Sequence, residues 1–457
     1  MRLSPRRFKE WVVALAYAEK WLILGTLIGI ASGLIVIVFF ELLVRMVAFT
    51  SGLVGVTLET TTTDLSIVYA ETSNRIMMII IILAGVAASA PIVYRIAPEA
   101  EGGGTESAVF SYHRRAALIP ARVPFVKLIA SVLTIGTGTS AGVEGPSVHM
   151  GAGIGSIMAR ILGLSRRDRS IAFTAGIAAA LSAAFRAPLG STFFATEVLY
   201  KRDIEAHAFM PSFVASLVSY AVTAPYFKYA EPLPRILVAP EEIYSTGGLL
   251  TLIGLGFFIA PFVYLFVTMI LSSDKVFRRL VRRLGLPIEA KPILGTLIAI
   301  PIILAFPIAA GSGKKAIVLA LTGEINEYIP FRDILPLTLL LIMAALSKMT
   351  ATSLMVGSGA SGGVFAPSLL AGAFLGWAYY LLLGDYAALP GHVYAYVGMA
   401  AFFGAAGKVP LAVSIIIGEM GRNYYLIAPT LAAAYIAREL TGEKSVYPPQ
   451  LKERPVI

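Results

Sequence analysis

From Gly247 to Ser272 the chain runs twenty-six residues without one charged side chain. Trp21–Val44 carries a single acid, Glu41, near its end, and no charge follows Arg75 until after Tyr94. About 20 helical residues cross a hydrocarbon core. In lipid, backbone N–H and C=O groups must be bonded within the chain, which leaves helices as the form for isolated runs of this kind. The composition agrees: 14% of residues are charged, against about a quarter in a soluble domain. The chain therefore reads as an all-α polytopic membrane protein embedded in a lipid bilayer. Arg2, Arg6, Arg7 and Lys9 precede a full span rather than a short apolar segment with a small-residue cleavage site, so no signal peptide is expected.

The net charge of +10 follows topology, and no nucleic-acid partner is needed to explain it. Segment 1–19 is basic. Loop 49–74 has Glu59, Asp64 and Glu71 and no Lys or Arg. The next loop carries Arg95, Arg114 and Arg115, and segment 226–246 leans acidic through Glu231, Glu241 and Glu242 against Lys228 and Arg235. Segment 273–291, read as a loop, holds Lys275, Arg278, Arg279, Arg282, Arg283 and Lys291. Positive residues collect on the cytoplasmic side, which puts the N-terminus and 273–291 inside and 226–246 outside a cell (inner) membrane. There is no cysteine, and the four histidines, His113, His149, His207 and His392, form no i, i+4 pair. No metal site and no cofactor are expected. No nucleophile–base pair is evident either, so an enzyme is not expected.

Slid on itself by 221 residues, the chain repeats. "GTGTSAGVEGPSVHMGAGIG" (136–155) lies without gaps on "GSGASGGVFAPSLLAGAFLG" (357–376), with ten of twenty positions identical. Lys127, Ala130 and Leu133 extend the match upstream to Lys348, Ala351 and Leu354. At a shift of 222, residues 176–197 lie on 398–419, pairing Pro188 with Pro410 and Glu197 with Glu419. Two homologous halves follow, 20–225 and 247–440, joined by 226–246 and closed by a short segment, 441–457. The opposite charge bias of loops 49–74 and 273–291 predicts that the halves are inverted. Gly and Pro interrupt many apolar runs after residue 120, which predicts broken, re-entrant helices lining a cavity.

Both repeated stretches share one grammar: Gly, Ser and Thr, then Pro near a helix start, then an apolar helix. Pro suits the first turn because its missing N–H has no intrahelical partner there. The first turn leaves free N–H groups and a partial positive charge, an anion site made of main chain. It attracts an anion without the desolvation cost of a fixed Lys or Arg. Glu144 sits on one of these turns. Its carboxylate is itself an anion beside free donors, so it either occupies and gates the site, moving aside when protonated, or simply caps the helix. Its counterpart in the second half is Phe365, a pore wall or plain core.

These stretches resemble the CLC family of chloride channels and chloride/proton antiporters. The marks are "GVEGP" (142–146), "GGVFAP" (362–367), "APLGSTFFATE" (187–197), "VPLAVSIIIGEM" (409–420) and Tyr447 in "KSVYP". The resemblance implies inverted repeats, a homodimer and a separate anion path in each subunit, with bound chloride ions. It assigns gating and proton transfer to Glu144. Main-chain N–H groups of Val143, Glu144 and Gly145, and of Val364 and Phe365, would hold anions, with the Tyr447 hydroxyl touching the central one.

The sequence departs from the family pattern at three points. The serine of an expected G-S-G-I-P turn falls at Gly103 in "GGGTE" (102–106), where Thr105 is a possible substitute. Val143 stands where the family has a basic residue. Val198 stands where many exchangers carry an inner glutamate, leaving Glu197, mated to Glu419, with a structural role. Chloride/proton antiport through Glu144 is the expected activity. A passive channel is the alternative that Val198 favours, and a fluoride/proton antiporter a further one. Ten residues follow Tyr447, so no nucleotide-binding regulatory pair is expected.

Overall fold

The computed structural model describes residues 15–56, 64–226 and 233–454. Arg2, Arg6, Arg7, Lys9, Glu59, Lys228 and Glu231 lie outside the described residues. Among the described residues, sixteen helices of nine residues or more fall into two series of eight. The first series is α1 (Tyr17–Leu53), α2 (Arg75–Ile96), α3 (Thr105–Arg114), α4 (Val123–Ile135), α5 (Glu144–Leu162), α6 (Arg166–Phe185), α7 (Pro188–Glu197) and α8 (Phe209–Thr223). The second is α9 (Thr246–Arg283), α10 (Ala290–Ala305), α11 (Lys314–Thr322), α12 (Leu337–Met355), α13 (Phe365–Leu383), α14 (Gly391–Gly407), α15 (Pro410–Gly421) and α16 (Ile427–Leu440). Each helix of the first series has its mate eight places on. Among the described residues, six helical stretches are long and apolar enough to cross a membrane, whereas α4, α10 and α15 are apolar but shorter.

One expectation fails here. Segment 273–291 is not a loop: α9 continues through it to Arg283. Nothing between Ser272 and Arg283 breaks a helix, and Asp274 pairs with Arg278 one turn on. The chain turns only at Gly285, whose φ of +64° suits glycine, with Pro287 just beyond. Lys275, Arg278, Arg279, Arg282 and Arg283 therefore decorate the end of a 38-residue helix, and Lys291 sits in the first turn of α10.

The core of each half is a tight helix pair, α5 on α6 and α13 on α14. Gly151 and Gly155 face the backbone of Gly176 and Ala172, and their mates Gly372 and Gly376 face that of Gly398 and Tyr394. Small residues four apart let two backbones touch, which gives packing where lipid supplies no hydrophobic drive. A Cβ at any of these glycines would run into a facing carbonyl.

Contacts between the halves come in reciprocal pairs, as a two-fold relation demands. The Ser131 hydroxyl meets that of Ser361 at 3.0 Å, and the mates of those two, Thr352 and Ser140, meet at 2.8 Å. Glu197 at the end of α7 accepts from the N–H groups of Leu411 and Ala412 at the start of α15, at 3.3 and 2.8 Å. Glu419 on α15 accepts from Leu189 and Gly190 at the start of α7, at 3.2 and 2.7 Å. Each acid caps the other's short helix, as the pairing of Glu197 with Glu419 foreshadows, so neither broken helix leaves its first N–H groups unbonded.

Candidate functional site

The two repeated glycine turns meet head to head. Gly142 donates to Gly363 at 2.7 Å and Gly363 donates back to Gly142 at 2.6 Å, an antiparallel clasp between repeat mates. α5 and α13 start just beyond it, with Val143 and Val364 as their N-caps. The clasp needs glycine on both strands, because a Cβ on Gly363 would sit 2.6 Å from the Gly145 nitrogen. Ser147 and Ser368, one turn in, bond back to the Val143 and Val364 carbonyls at 2.9 and 2.7 Å. Those hydroxyls are thereby committed to the helix ends, and the N–H groups of the first turns stay available.

A second pair of turns flanks the first. "PEAEGGG" (98–104) leads into α3 and "PIAAGSG" (307–313) into α11, with Pro, Ala, Gly and Gly matched at a shift of 209. Gly102 donates to Gly359 at 3.3 Å, and its mate Gly311 donates to Gly138 at 2.9 Å. Under each turn lies a fully buried lysine. Lys127 donates to the carbonyls of Ala100 and Gly102 at 3.0 and 2.6 Å. Lys348 donates to those of Ala309, Ala310 and Gly311 at 3.1, 3.2 and 2.7 Å. An ammonium has three donors; turn carbonyls accept from all three of Lys348 and from two of Lys127, and are fixed in turn. Gly102, Gly103, Gly104 and Thr105 are all buried, so this glycine turn is packed inside the protein.

The expected site residues gather around the clasp. Glu144 is only 6% exposed. Its carboxyl crosses from α5 to the Ala366 N–H in the first turn of α13, and its Oε2 is buried without a hydrogen-bond partner. The carboxyl thus lies at two helix starts at once, at the N–H of its own residue on α5 and at that of Ala366 on α13. Tyr447 is buried, and its hydroxyl is hydrogen-bonded to that of Thr105, the first residue of α3. Gly103 contributes no side chain, so the nearby hydroxyl is that of Thr105. The tyrosine is held rigidly. Its N–H bonds Ser445 Oγ at 3.0 Å, and Gln450 anchors the segment to the Val198 and Gly407 carbonyls at 3.0 and 2.9 Å. Phe365 packs among Phe185, Phe403 and Phe194, with ring centroids 4.5, 4.2 and 6.3 Å away. It forms an apolar wall beside the clasp. Val198 is fully buried at the end of α7.

Two cavities approach this centre. One, of about 570 Å³, reaches Val143, Glu144 and Ala366, and is edged by Arg186, Lys314 and Arg422. The other, of about 490 Å³, reaches Gly102, Gly359 and Val364, and is edged by Glu106, Lys275 and Arg278. Lys314 was not foreseen. It stands at the start of α11 and acts electrostatically on Glu144. The positive charge absent at Val143 is returned from the opposite half. The shift of 209, which pairs Thr105 with Lys314, is the signal that could have revealed it.

Paired broken helices with their starts clasped, and two cavities that reach the clasp, define an internally repeated membrane transport protein. The model of the voltage gated chloride channel family matches residues 84–442, and the chain belongs to that family. It is 29% identical over 369 residues to the H(+)/Cl(-) exchange transporter ClcA of Vibrio parahaemolyticus, covering 78% of this chain and 75% of that protein. It is 30% identical over 342 residues to the chloride channel protein CLC-e of Arabidopsis thaliana, covering 70% of this chain and 47% of that one. Its fold matches a slow cyanobacterial Cl-/H+ antiporter with a TM-score of 0.75 at 22% identity, covering 95% of this chain and 97% of that structure. It also matches a CLC-type fluoride/proton antiporter with a TM-score of 0.77 at 20% identity, covering 96% and 100%. Anion transport across a membrane follows from the family, which comprises transporters and channels rather than enzymes.

Proposed function

We propose that the protein exchanges chloride for protons, with Glu144 as gate and proton carrier. The observation that carries this reading is the Glu144 carboxyl at the Ala366 N–H, inside the start of the opposing helix. Two helix starts contribute partial positive charge, and the hydroxyls of Thr105 and Tyr447 add neutral donors nearby. Chloride is held by the N–H groups of Val143, Glu144 and Gly145 on one side of the clasp and of Val364 and Phe365 on the other, with Tyr447 between the site and the second cavity. Ionised, Glu144 fills the anion seat. Protonated, it loses its attraction to those donors, swings aside and lets chloride take its place. One proton then moves with the carboxyl against the anion.

The Tyr447 cavity is assigned to the cytoplasm, because Lys275 and Arg278 edge it and positive residues favour that side. The N-terminus is placed on the same side, in the inner membrane. The protein acts as a homodimer with one path per subunit, a reading supported by family membership and by the exposed apolar side chains Met210, Phe213 and Leu217 on α8.

The test is purified protein in liposomes under an outward chloride gradient with external pH recorded. Exchange drives protons uphill into the vesicles, and Glu144→Gln abolishes that movement while chloride still flows. Chloride efflux with no uphill proton movement from the wild type makes the protein a channel. Proton movement driven by fluoride and not by chloride makes it a fluoride exchanger.

A further inference from the structure

An acid stands on the second cavity that neither the gate nor the scaffold uses. Glu106 follows Thr105 in the first turn of α3 and lines the cavity with Glu101 and Val364. Its side chain folds back, and Oε1 accepts from the Gly103 N–H at 3.1 Å. The carboxylate occupies the space a side chain on Gly103 would need: a Cβ there would lie 2.6 Å from Glu106 Oε2. The missing side chain at Gly103 and the acid at Glu106 are thus one feature. Together they place a carboxyl beside the Thr105–Tyr447 hydroxyl pair, close enough to act electrostatically on Tyr447.

The surroundings suit a group that changes charge. α4 presents Lys127, fixed by turn carbonyls, with His149 of α5 behind it. The preceding turn presents Glu101, paired with Lys291 of α10 and Arg278 of α9, and α2 sets the Tyr94 hydroxyl beside it. α9 adds Asp274 and Lys275 on the cavity wall. Four basic groups against two other acids leave a local positive excess. It draws anions in, and Glu106 itself makes no ion pair among the described residues. Val198, by contrast, offers no titratable group and is fully buried.

We propose that Glu106 is the proton-transfer acid of the Tyr447 side, passing protons between cavity water and the path to Glu144. In each cycle hydronium in the cavity gives a proton to a Glu106 carboxylate oxygen, leaving water. The O–H bond formed then breaks as the proton passes to water in the path and on to Glu144, restoring the Glu106 carboxylate. The proposal rests on the exchange reading above and adds the second station that reading lacks.

The experiment measures protons moved per chloride in liposomes for wild type, Glu106→Gln and Glu106→Ala, the second variant guarding against misfolding of the first. The expected result is a fall of tenfold or more in protons per chloride, with chloride flux within about threefold of wild type. An unchanged ratio overturns the proposal, and so does a parallel loss of both fluxes, which is what a purely structural cap would give. If the wild type itself moves no protons, the exchange reading fails and takes this inference with it. If the wild type couples and the variants couple equally, only the inference fails.

Discussion

The two halves share a backbone and differ in a few side chains. Where they agree, the residues build. Lys127 and Lys348 hold turn carbonyls. Glu197 and Glu419 cap each other's short helices. The glycines of α5 and α13 seat α6 and α14. Where the halves disagree, several of the residues line the cavities, Glu144 and Lys314 one and Glu106 the other. Glu144 opposes Phe365 across the clasp, and Thr105 and Glu106 in α3 stand where α11 has Lys314 and Lys315. The difference teaches that a duplicated scaffold makes two helix starts alike, and that what distinguishes them is the unlike side chains placed on them. One start then carries a titratable acid and the other an apolar wall.

This comparison can be broken most directly at its centre. Glu144→Gln is expected to reduce uphill proton movement to background with chloride flux retained, whereas Phe365→Leu leaves proton coupling in place. Equal loss of coupling in both, read from external pH under a chloride gradient, would show that the two positions do not differ in kind. Phe365→Ala should instead cost stability, about 3–5 kcal/mol for a buried aromatic removed from a ring cluster, measured as a lowered denaturation midpoint in detergent.

The shared positions should respond alike. Glu197→Gln and Glu419→Gln each weaken two charge-assisted bonds to helix-start N–H groups, and a loss of roughly 1–3 kcal/mol is expected from each. Glu419 is less deeply buried, so its loss should be the smaller. Chloride flux per folded protein should be unchanged in both, and selective loss of proton coupling in Glu197→Gln would move that residue from scaffold to path. The smallest effect is expected from Lys314→Gln. It should weaken chloride binding from the Glu144 side a few-fold, and the deficit should shrink as ionic strength rises. A deficit independent of salt would mean that Lys314 acts through packing rather than charge.

Much of this was legible in the sequence. The repeat, the broken helices and the placement of Glu144 on a helix start follow from glycine, proline and hydropathy, which act locally. The rest depends on distant partners. The burial of "EGGGTE" is not legible locally, because nothing nearby shows that Lys127 will bury itself against the carbonyls of Ala100 and Gly102. The second repeated turn escaped notice because its shift, 209 rather than 221, falls after a different number of inserted residues. Segment 273–291 reads as a loop because charge marks the membrane boundary, yet charge does not end a helix, and Gly285 does. Lys314 and Glu106 are ordinary polar residues until the fold brings one to the Glu144 cavity and the other to the Tyr447 cavity.

By itself the sequence determined that this chain lives in lipid, is built twice over, and breaks its helices at glycine turns. Those properties arise from residue-by-residue transfer energies and backbone freedom, which need no knowledge of distant contacts. The tertiary structure alone decided that the two turns clasp, that the Glu144 carboxyl reaches the opposite helix start as well as its own, and which charges look onto each cavity. An electrostatic interaction depends on distance through space, and Glu144 and Ala366, for example, lie 222 positions apart along the chain.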